Sequence, residues 1–227
     1  NEATPYLTLP GTKRWNGYSL NSMSFGYAVG MTAINMVSFY NTIANGGKQM
    51  KPRLVKAILD NGEIVEEFPT EVINQQLFPK EVADAVTAML DSVVNGISID
   101  KVNPWRKGKR DGTGKNAHSE IMTIAGKTGT AKAYDGNKKL MSFCGFFPAE
   151  APEYTLIVQT MYDADIDPRP KDEQAKNNYG GGSTSALIFK EIVEKIMADR
   201  FFTPIENAIE GTPKVTPAMK RGNIGDA

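Results

Sequence analysis

The chain has 227 residues, 41% of them hydrophobic and 23% charged, which is enough apolar material to bury a sizeable core. Lysine plus arginine and aspartate plus glutamate each number 26, so the net charge is zero and the general attraction of a basic domain to nucleic acid is absent. The single cysteine, Cys144, excludes an intrachain disulfide and a cysteine zinc site, and the single histidine, His118, disfavours most zinc hydrolases.

One further absence, one charged run and the single histidine are informative. No apolar run approaches the ~20 residues of a membrane span, so we expect any leader or anchor of the parent protein to lie outside the chain. The basic run from Arg106 to Arg110 is short and interrupted by glycine, which favours a solvated loop over a phosphate-binding patch. His118 lies in a polar stretch and is expected at the surface.

The first half of the chain predicts two helices and a hairpin. Apolar residues recur at helical spacing between a capping Thr32 and Gly46, which predicts a helix. Asp60-Asn61-Gly62 joins two β-rich runs and predicts a tight hairpin. A second helix is predicted to begin at Pro79 and to end at Gly96.

The second half predicts strands and a closing helix. Three β-rich segments predict an antiparallel meander: Ile121–Ala131, Leu140–Phe147 and Tyr154–Tyr162, with turns at 134–137 and 148–152. A polar, glycine-rich connection follows. Ser183 then caps a third predicted helix whose apolar face consists of Leu187, Ile188, Ile192, Val193 and Ile196. Helices followed by strands and one more helix indicate an α+β fold.

Three segments carry no periodicity. Residues 1–24 and 96–120 are polar and turn-rich, and the second is long enough for us to expect a functional or mobile loop. Residues 203–227 contain three prolines and three glycines and are typical of a linker. We therefore divide the chain into a domain at 1–202 and a linker at 203–227.

The triplet Lys127-Thr128-Gly129 lies in IAGKTGTA, residues 124–131, on the first predicted strand. A nucleotide phosphate loop would need a glycine at position 121, where Ile121 stands, and would leave its strand before Gly-Lys. A chance match is the other alternative, since a three-residue motif is weak. The small residues along 125–131 favour a functional strand instead.

Such a strand suits peptide chemistry. A lysine ammonium beside a threonine hydroxyl can bind a carboxylate, and Gly129 lets a peptide lie against the strand edge by β-augmentation. The backbone N–H of Thr130 can then point at a developing oxyanion. Lys-Thr-Gly is a wall of the active site in one large class of serine acyl-transferases.

Further motifs occur in a fixed order along the chain: SFGYAVGMT (24–32), ANGG (44–47), KPRLV (51–55), IAGKTGTA (124–131), SFCGFFPA (142–149) and YGG (179–181). In this combination the chain resembles the C-terminal half of the transpeptidase domain of class B penicillin-binding proteins over most of its length. One departure is Ala28, where the family has glycine.

The resemblance implies a partial fold of the penicillin-binding-protein and serine β-lactamase type, with its N-terminal part missing. It implies a D,D-transpeptidase in which a serine attacks the D-Ala-D-Ala carbonyl of a stem peptide, D-Ala leaves, and an amine of another stem resolves the acyl-enzyme. Lys127, Thr128, Gly129 and Thr130 would bind the substrate or a β-lactam, and no metal or cofactor is expected. The expected binding partners are stem peptides and β-lactams, with division proteins added for the parent protein. The parent is expected at the periplasmic side of the bacterial cytoplasmic membrane, held by a single N-terminal anchor.

The nucleophile itself is expected to precede Asn1. The family order is S-x-x-K, then S-x-N, then K-T-G. Here Ser98–Lys101 and Ser19–Asn21 carry the first two patterns in the wrong order. Ser98 follows a predicted helix end, whereas the nucleophile must be held on a helix beside its lysine, so both matches are interpreted as decoys. The chain alone is then expected to be inactive and to expose apolar faces.

Residues 213–227 resemble the opening of a PASTA repeat, with Ala218 in place of glycine, which favours a septal enzyme. Two alternatives stay open. One is a D,D-carboxypeptidase, a serine β-lactamase or a β-lactam sensor of the same superfamily. The other is a non-enzymatic cell-wall-binding module.

Overall fold

The computed structural model describes residues 3–98, 108–132, 138–168 and 179–202. This part of the chain contains four α-helices: α1 (Ser19–Ser24), α2 (Ala33–Ala44), α3 (Lys80–Asn95) and α4 (Ser185–Phe202). Eight short strands precede the main sheet: β1 (Tyr6–Leu7), β2 (Val29–Gly30), β3 (Gln49–Met50), β4 (Ala57–Asp60), β5 (Glu63–Glu67), β6 (Val72–Asn74), β7 (Ile97–Ser98) and β8 (Lys109–Arg110). The main sheet holds β9 (Ala125–Lys132), β10 (Lys138–Phe147) and β11 (Tyr154–Asp163).

The main sheet is the predicted antiparallel meander, in the order β11-β10-β9. The strand β9 begins at Ala125, so the predicted start at Ile121 was wrong. The residues just before β9 do not pair with β10. Ile124 is buried in the core, and the Thr123 carbonyl accepts a hydrogen bond from the backbone N–H of Ala149 in the β10–β11 turn. Ile124 is the one residue of 121–124 that is buried, while Ile121 is 48% exposed, so the β-rich composition of this stretch does not mark a paired strand.

Helix α4 covers one face of this sheet. Phe189 is fully buried, with its ring 4.7 Å from that of Phe143 and 6.1 Å from that of Phe147, both in edge-to-face geometry. The predicted apolar face of α4 was partly wrong, because Leu187 and Ile188 are exposed. The buried face consists of Ala186, Phe189, Val193 and Met197.

Helices α2 and α3 cover the opposite face. Successive residues of a strand point to opposite sides, so Phe146 turns away from the side that Phe143 occupies. Phe146 packs in a second cluster with Ile43 of α2, Leu90 of α3 and Ala125 of β9. The central strand β10 is thus buried on both faces.

The predicted ends of the first two helices are confirmed. The Thr32 hydroxyl accepts a hydrogen bond from the backbone of Asn35 and caps α2, and Gly46 after its end has a φ of 64°. Pro79 precedes α3 and Gly96 follows it with a φ of 74°.

The hairpin is confirmed as β4–β5. Asn61 and Gly62 have φ values of 50° and 90°, as a two-residue hairpin turn requires. Ala28 also lies in the left-handed region, with a φ of 60°, and this explains why glycine is the usual residue there.

Two segments expected to be irregular contain regular structure. Residues 1–24 hold α1 and the strand β1, which pairs with β2. Residues 96–120 hold the β7–β8 pair and a 3₁₀ turn at Lys115–Ala117. These elements are two to six residues long, too short for a periodic pattern to show in the sequence.

The Ser183 cap was also misplaced. Helix α4 begins at Ser185, and the Ser183 hydroxyl hydrogen-bonds the backbone of Gly180. The turn at 134–137, the linker at 203–227, the PASTA-like segment and the first two residues of the basic run, Arg106 and Lys107, lie outside the described residues. The last two residues of that run, expected in a loop, form the strand β8.

Apolar side chains are exposed in cross-strand pairs at two places, as expected. Leu59 and Ile64 face each other on the β4–β5 hairpin and are 62% and 55% exposed. Leu140 and Met161 are paired on β10 and β11 and are 41% and 68% exposed. Among the described residues, none of the helices combines the length and the apolar character that a bilayer crossing requires.

The packing of α4 yields a test of its orientation. Phe189→Ala should lower the free energy of unfolding by about 3–5 kcal/mol, because it removes a fully buried ring between two other rings. Leu187→Ala, on the exposed side of the same helix, should cost less than about 1 kcal/mol. Urea denaturation of the two variants measures both values, and equal losses would contradict the observed helix face.

Candidate functional site

The Lys127–Thr130 segment lies in the middle of β9, at the edge of the main sheet. Within the described ranges β9 pairs only with β10, where Gly129 stands opposite Ser142. The other side of the strand carries backbone groups that a peptide can pair with by β-augmentation. The structure therefore places the predicted residues on an edge strand, as the proposed chemistry needs.

The Lys127 side chain bends across this edge. Its ammonium donates to the Thr128 carbonyl at 3.0 Å and to the Thr128 hydroxyl at 3.3 Å. Neighbouring strand residues point to opposite faces, so the ammonium reaches the Thr128 hydroxyl by passing round the unpaired side of β9. A positive charge and a hydroxyl thus lie side by side at the edge of the strand.

Burial affects the groups behind this edge. Lys127 is exposed overall, but partial burial of its ammonium lowers the pKa of the side chain. Its cross-strand partner, Cys144, is buried, and that burial raises the pKa of the thiol to about 12. Burial also raises the pKa of Tyr40 on α2, which lies close enough for the Cys144 charge to add to the effect. The sheet behind Lys127 is therefore a poorly solvated surface.

Thr128 has a second hydroxyl beside it. Its Oγ1 lies 3.1 Å from Oγ1 of Thr113, a residue in the segment between β8 and the 3₁₀ turn. Sequence reasoning did not select Thr113, because it stands 14 residues before the motif in a stretch assigned to a loop. The local sequence Gly112-Thr113-Gly114 was the available signal, since flanking glycines indicate a tightly packed backbone.

Gly129 and Thr130 are held by neighbours within the protein. A Cβ at Gly129 would collide with the Ser142 hydroxyl, so the sheet itself favours glycine there. The Thr130 hydroxyl accepts a hydrogen bond of 3.2 Å from the backbone N–H of Gly181. The Thr130 side chain therefore supports the connection to α4, and the oxyanion role of its backbone N–H stays a prediction.

The three glycines before α4 form the other wall of this region. A Cβ at Gly181 would lie 2.6 Å from the Gly129 carbonyl oxygen and closer still to that of Ser142. A Cβ at Gly182 would collide with the Thr113 carbonyl oxygen, whereas Gly180 would bring its Cβ only to 3.4 Å from the Thr130 hydroxyl. The YGG motif thus positions backbone against backbone over β9, a role that the sequence motif alone did not reveal.

The serines of the two out-of-order motifs lie on short elements. Ser98 lies in the two-residue strand β7, opposite Lys109 of β8, and its partner Lys101 lies outside the described residues. Ser19 is 4% exposed at the start of α1, and its hydroxyl accepts a hydrogen bond from the backbone of Asn16. His118 is half exposed between Asn95 and Glu120, as expected for a surface histidine.

Residues 8–194 match the family described as "Penicillin binding protein transpeptidase domain". This chain therefore belongs to the penicillin-binding protein transpeptidase family. It is 30% identical over 197 residues to Penicillin-binding protein PbpB of Mycolicibacterium smegmatis, covering 83% of this chain and 27% of that protein. It is 28% identical over 198 residues to Peptidoglycan D,D-transpeptidase FtsI of Buchnera aphidicola, covering 85% of this chain and 29% of that protein.

The fold agrees with this assignment. The crystal structure of Penicillin binding protein 3 from Mycobacterium tuberculosis, complexed with aztreonam, superposes with a TM-score of 0.62 at 26% identity. The match covers 86% of this chain and 41% of that one. The chain spans less than a third of the length of the two curated relatives, so it corresponds to part of the α+β transpeptidase fold.

Gly181 offers a direct test of the wall over β9. Gly181→Ala should displace the connection to α4, because the new methyl would overlap two backbone carbonyl oxygens that have no room to retreat. Large amide shift changes are expected at Gly129, Thr130 and Ser142 in ¹⁵N-resolved NMR spectra. The matched control Gly180→Ala, whose methyl meets only one ordinary contact, should change them little.

The Lys127 ammonium should lose its proton at a lower pH than a freely exposed lysine, whose pKa is ~10.4. Its attraction for a carboxylate is complete well below its own pKa and is lost as the pH rises through that lowered value. An NMR titration of the Lys127 Cε signal, assigned with Lys127→Arg, measures this. A midpoint at or above that of free lysine would refute partial burial of the charge.

Proposed function

We propose that this chain provides the substrate-binding strand of a peptidoglycan D,D-transpeptidase that cross-links stem peptides through a serine acyl-enzyme. The observation that carries the proposal is the position of the Lys127 ammonium, 3.3 Å from the Thr128 hydroxyl at the unpaired side of β9. Family membership and the relatives named as D,D-transpeptidases support it.

In this proposal each residue of the strand has one task. The ammonium of Lys127 and the hydroxyl of Thr128 bind the terminal carboxylate of the stem peptide, which fixes its D-Ala-D-Ala end. The peptide backbone pairs with β9, and the N–H of Thr130 donates to the oxyanion that forms when a serine attacks the scissile carbonyl. D-Ala leaves, and an amine from a second stem takes the acyl group.

The serine of this reaction is proposed to come from outside the chain. Ser98 is the last residue of the two-residue strand β7, whereas the nucleophile of the S-x-x-K pattern must be held on a helix beside its lysine. Ser19 is buried and hydrogen-bonded. We therefore propose that the chain alone forms no acyl-enzyme.

The parent protein is proposed to act in septal wall synthesis, anchored at the periplasmic side of the cytoplasmic membrane. This part of the proposal is supported by the resemblance of residues 213–227 to the start of a PASTA repeat.

Intact-mass spectrometry after incubation with a fluorescent penicillin tests the proposal. The chain alone should gain no adduct, and a polypeptide extended at the N-terminus to include a helix-borne S-x-x-K should gain one penicillin. An adduct on the chain alone would overturn the proposed inactivity, and Ser98→Ala would show whether Ser98 carries it. No adduct on either polypeptide would overturn the transpeptidase proposal itself.

A further inference from the structure

The hydroxyl of Thr128 has a limited hydrogen-bonding capacity. A threonine hydroxyl has one proton to donate and two lone pairs that accept. The Lys127 ammonium is only a donor, so its 3.3 Å hydrogen bond uses one lone pair of Thr128 Oγ1. The 3.1 Å contact with the Thr113 hydroxyl must use either the second lone pair or the proton.

A bound carboxylate decides between these two arrangements. An ionised carboxylate only accepts, so Thr128 can hydrogen-bond it only by giving up its single proton. The contact with Thr113 is then kept only if Thr113 donates to Thr128. We propose that Thr113 is a positioning residue whose hydroxyl donates to Thr128, so that the Thr128 proton points to the carboxylate of a bound peptide.

The backbone around Thr113 is built to hold it in place. A Cβ at Gly112 would collide with the Val93 carbonyl oxygen at the end of α3, and the N–H of Gly114 donates to the same carbonyl at 2.9 Å. On the other side, Gly182 packs against the Thr113 carbonyl so closely that a Cβ would not fit. The segment is thus clamped between α3 and the connection to α4, while the Thr113 side chain stays exposed beside β9.

This inference rests on the proposed function for the identity of the ligand, but its structural part can be tested without a ligand. Thr113→Val removes the hydroxyl and keeps the shape. Thr128 should then lose its single side-chain rotamer, which three-bond couplings to its Cγ2 methyl report in NMR spectra of the whole chain. Thr113→Ser keeps the hydroxyl and should preserve the rotamer.

The effect of Thr113 on ligand binding is tested by NMR titrations of the original chain, Thr113→Val and Thr113→Ser. The affinity for N-acetyl-D-Ala-D-Ala is compared with the affinity for its C-terminal amide. Thr113→Val should weaken binding of the carboxylate form by about three- to tenfold, the usual effect of one hydrogen bond, and should weaken the amide form less, because a neutral amide carbonyl accepts more weakly than a carboxylate. Thr113→Ser should stay within about twofold of the original chain. Thr70→Val, an exposed threonine between β5 and β6, should change neither ligand.

The outcomes separate the two proposals. An unchanged Thr128 rotamer in Thr113→Val, or an equal loss for the carboxylate and amide ligands, overturns the positioning role. A disordered Thr128 in a chain that binds neither ligand upholds the positioning role and counts against the proposed function. Should Thr113→Val fail to fold, Thr113→Ala replaces it with the same expectations.

Discussion

The contact of Gly181 with the main sheet is the constraint on which the site depends. Its N–H donates to the Thr130 hydroxyl, and its carbonyl accepts from the backbone of Ala186 in the first turn of α4. Its Cα lies directly over the backbone of Gly129 and Ser142. One residue without a side chain thereby joins β9, β10 and α4. The same close approach holds the start of the helix that carries Phe189 against the strand that carries Lys-Thr-Gly.

An unpaired strand edge is normally a hazard, because it can pair with any other strand. Here the exposed side of β9 is crossed by the Lys127 side chain, and a charge at an edge discourages indiscriminate pairing. In the proposed function, a peptide that ends in a carboxylate is attracted by the Lys127 ammonium at that position, whereas the side chain obstructs an ordinary strand. The same lysine would then both keep the edge free of other strands and select the ligand.

The sequence predicted the parts of the molecule that depend on local rules. Thr32, Gly96 and the Asn61-Gly62 turn mark element ends through capping and backbone conformation, which act within a few residues. The Lys-Thr-Gly triplet was correctly placed on a strand, and its role as the site strand stays a prediction. The buried side of α4 was partly missed because Leu187 and Phe189 are both apolar, and only the position of the sheet determines which of them is covered. Thr113 was missed because it lies 15 positions before Thr128, and their 3.1 Å contact depends on the clamp formed by α3 and Gly182.

The buried thiol of Cys144 gives the sheet an internal reporter. It lies opposite Lys127, and only the thiolate form reacts readily with alkylating or disulfide reagents. With the side chain enclosed and its pKa raised to about 12, modification has to wait until β10 separates from its covering helices. The rate at which the cysteine is labelled therefore measures how often the sheet opens beneath Lys127, without any probe being added to the chain.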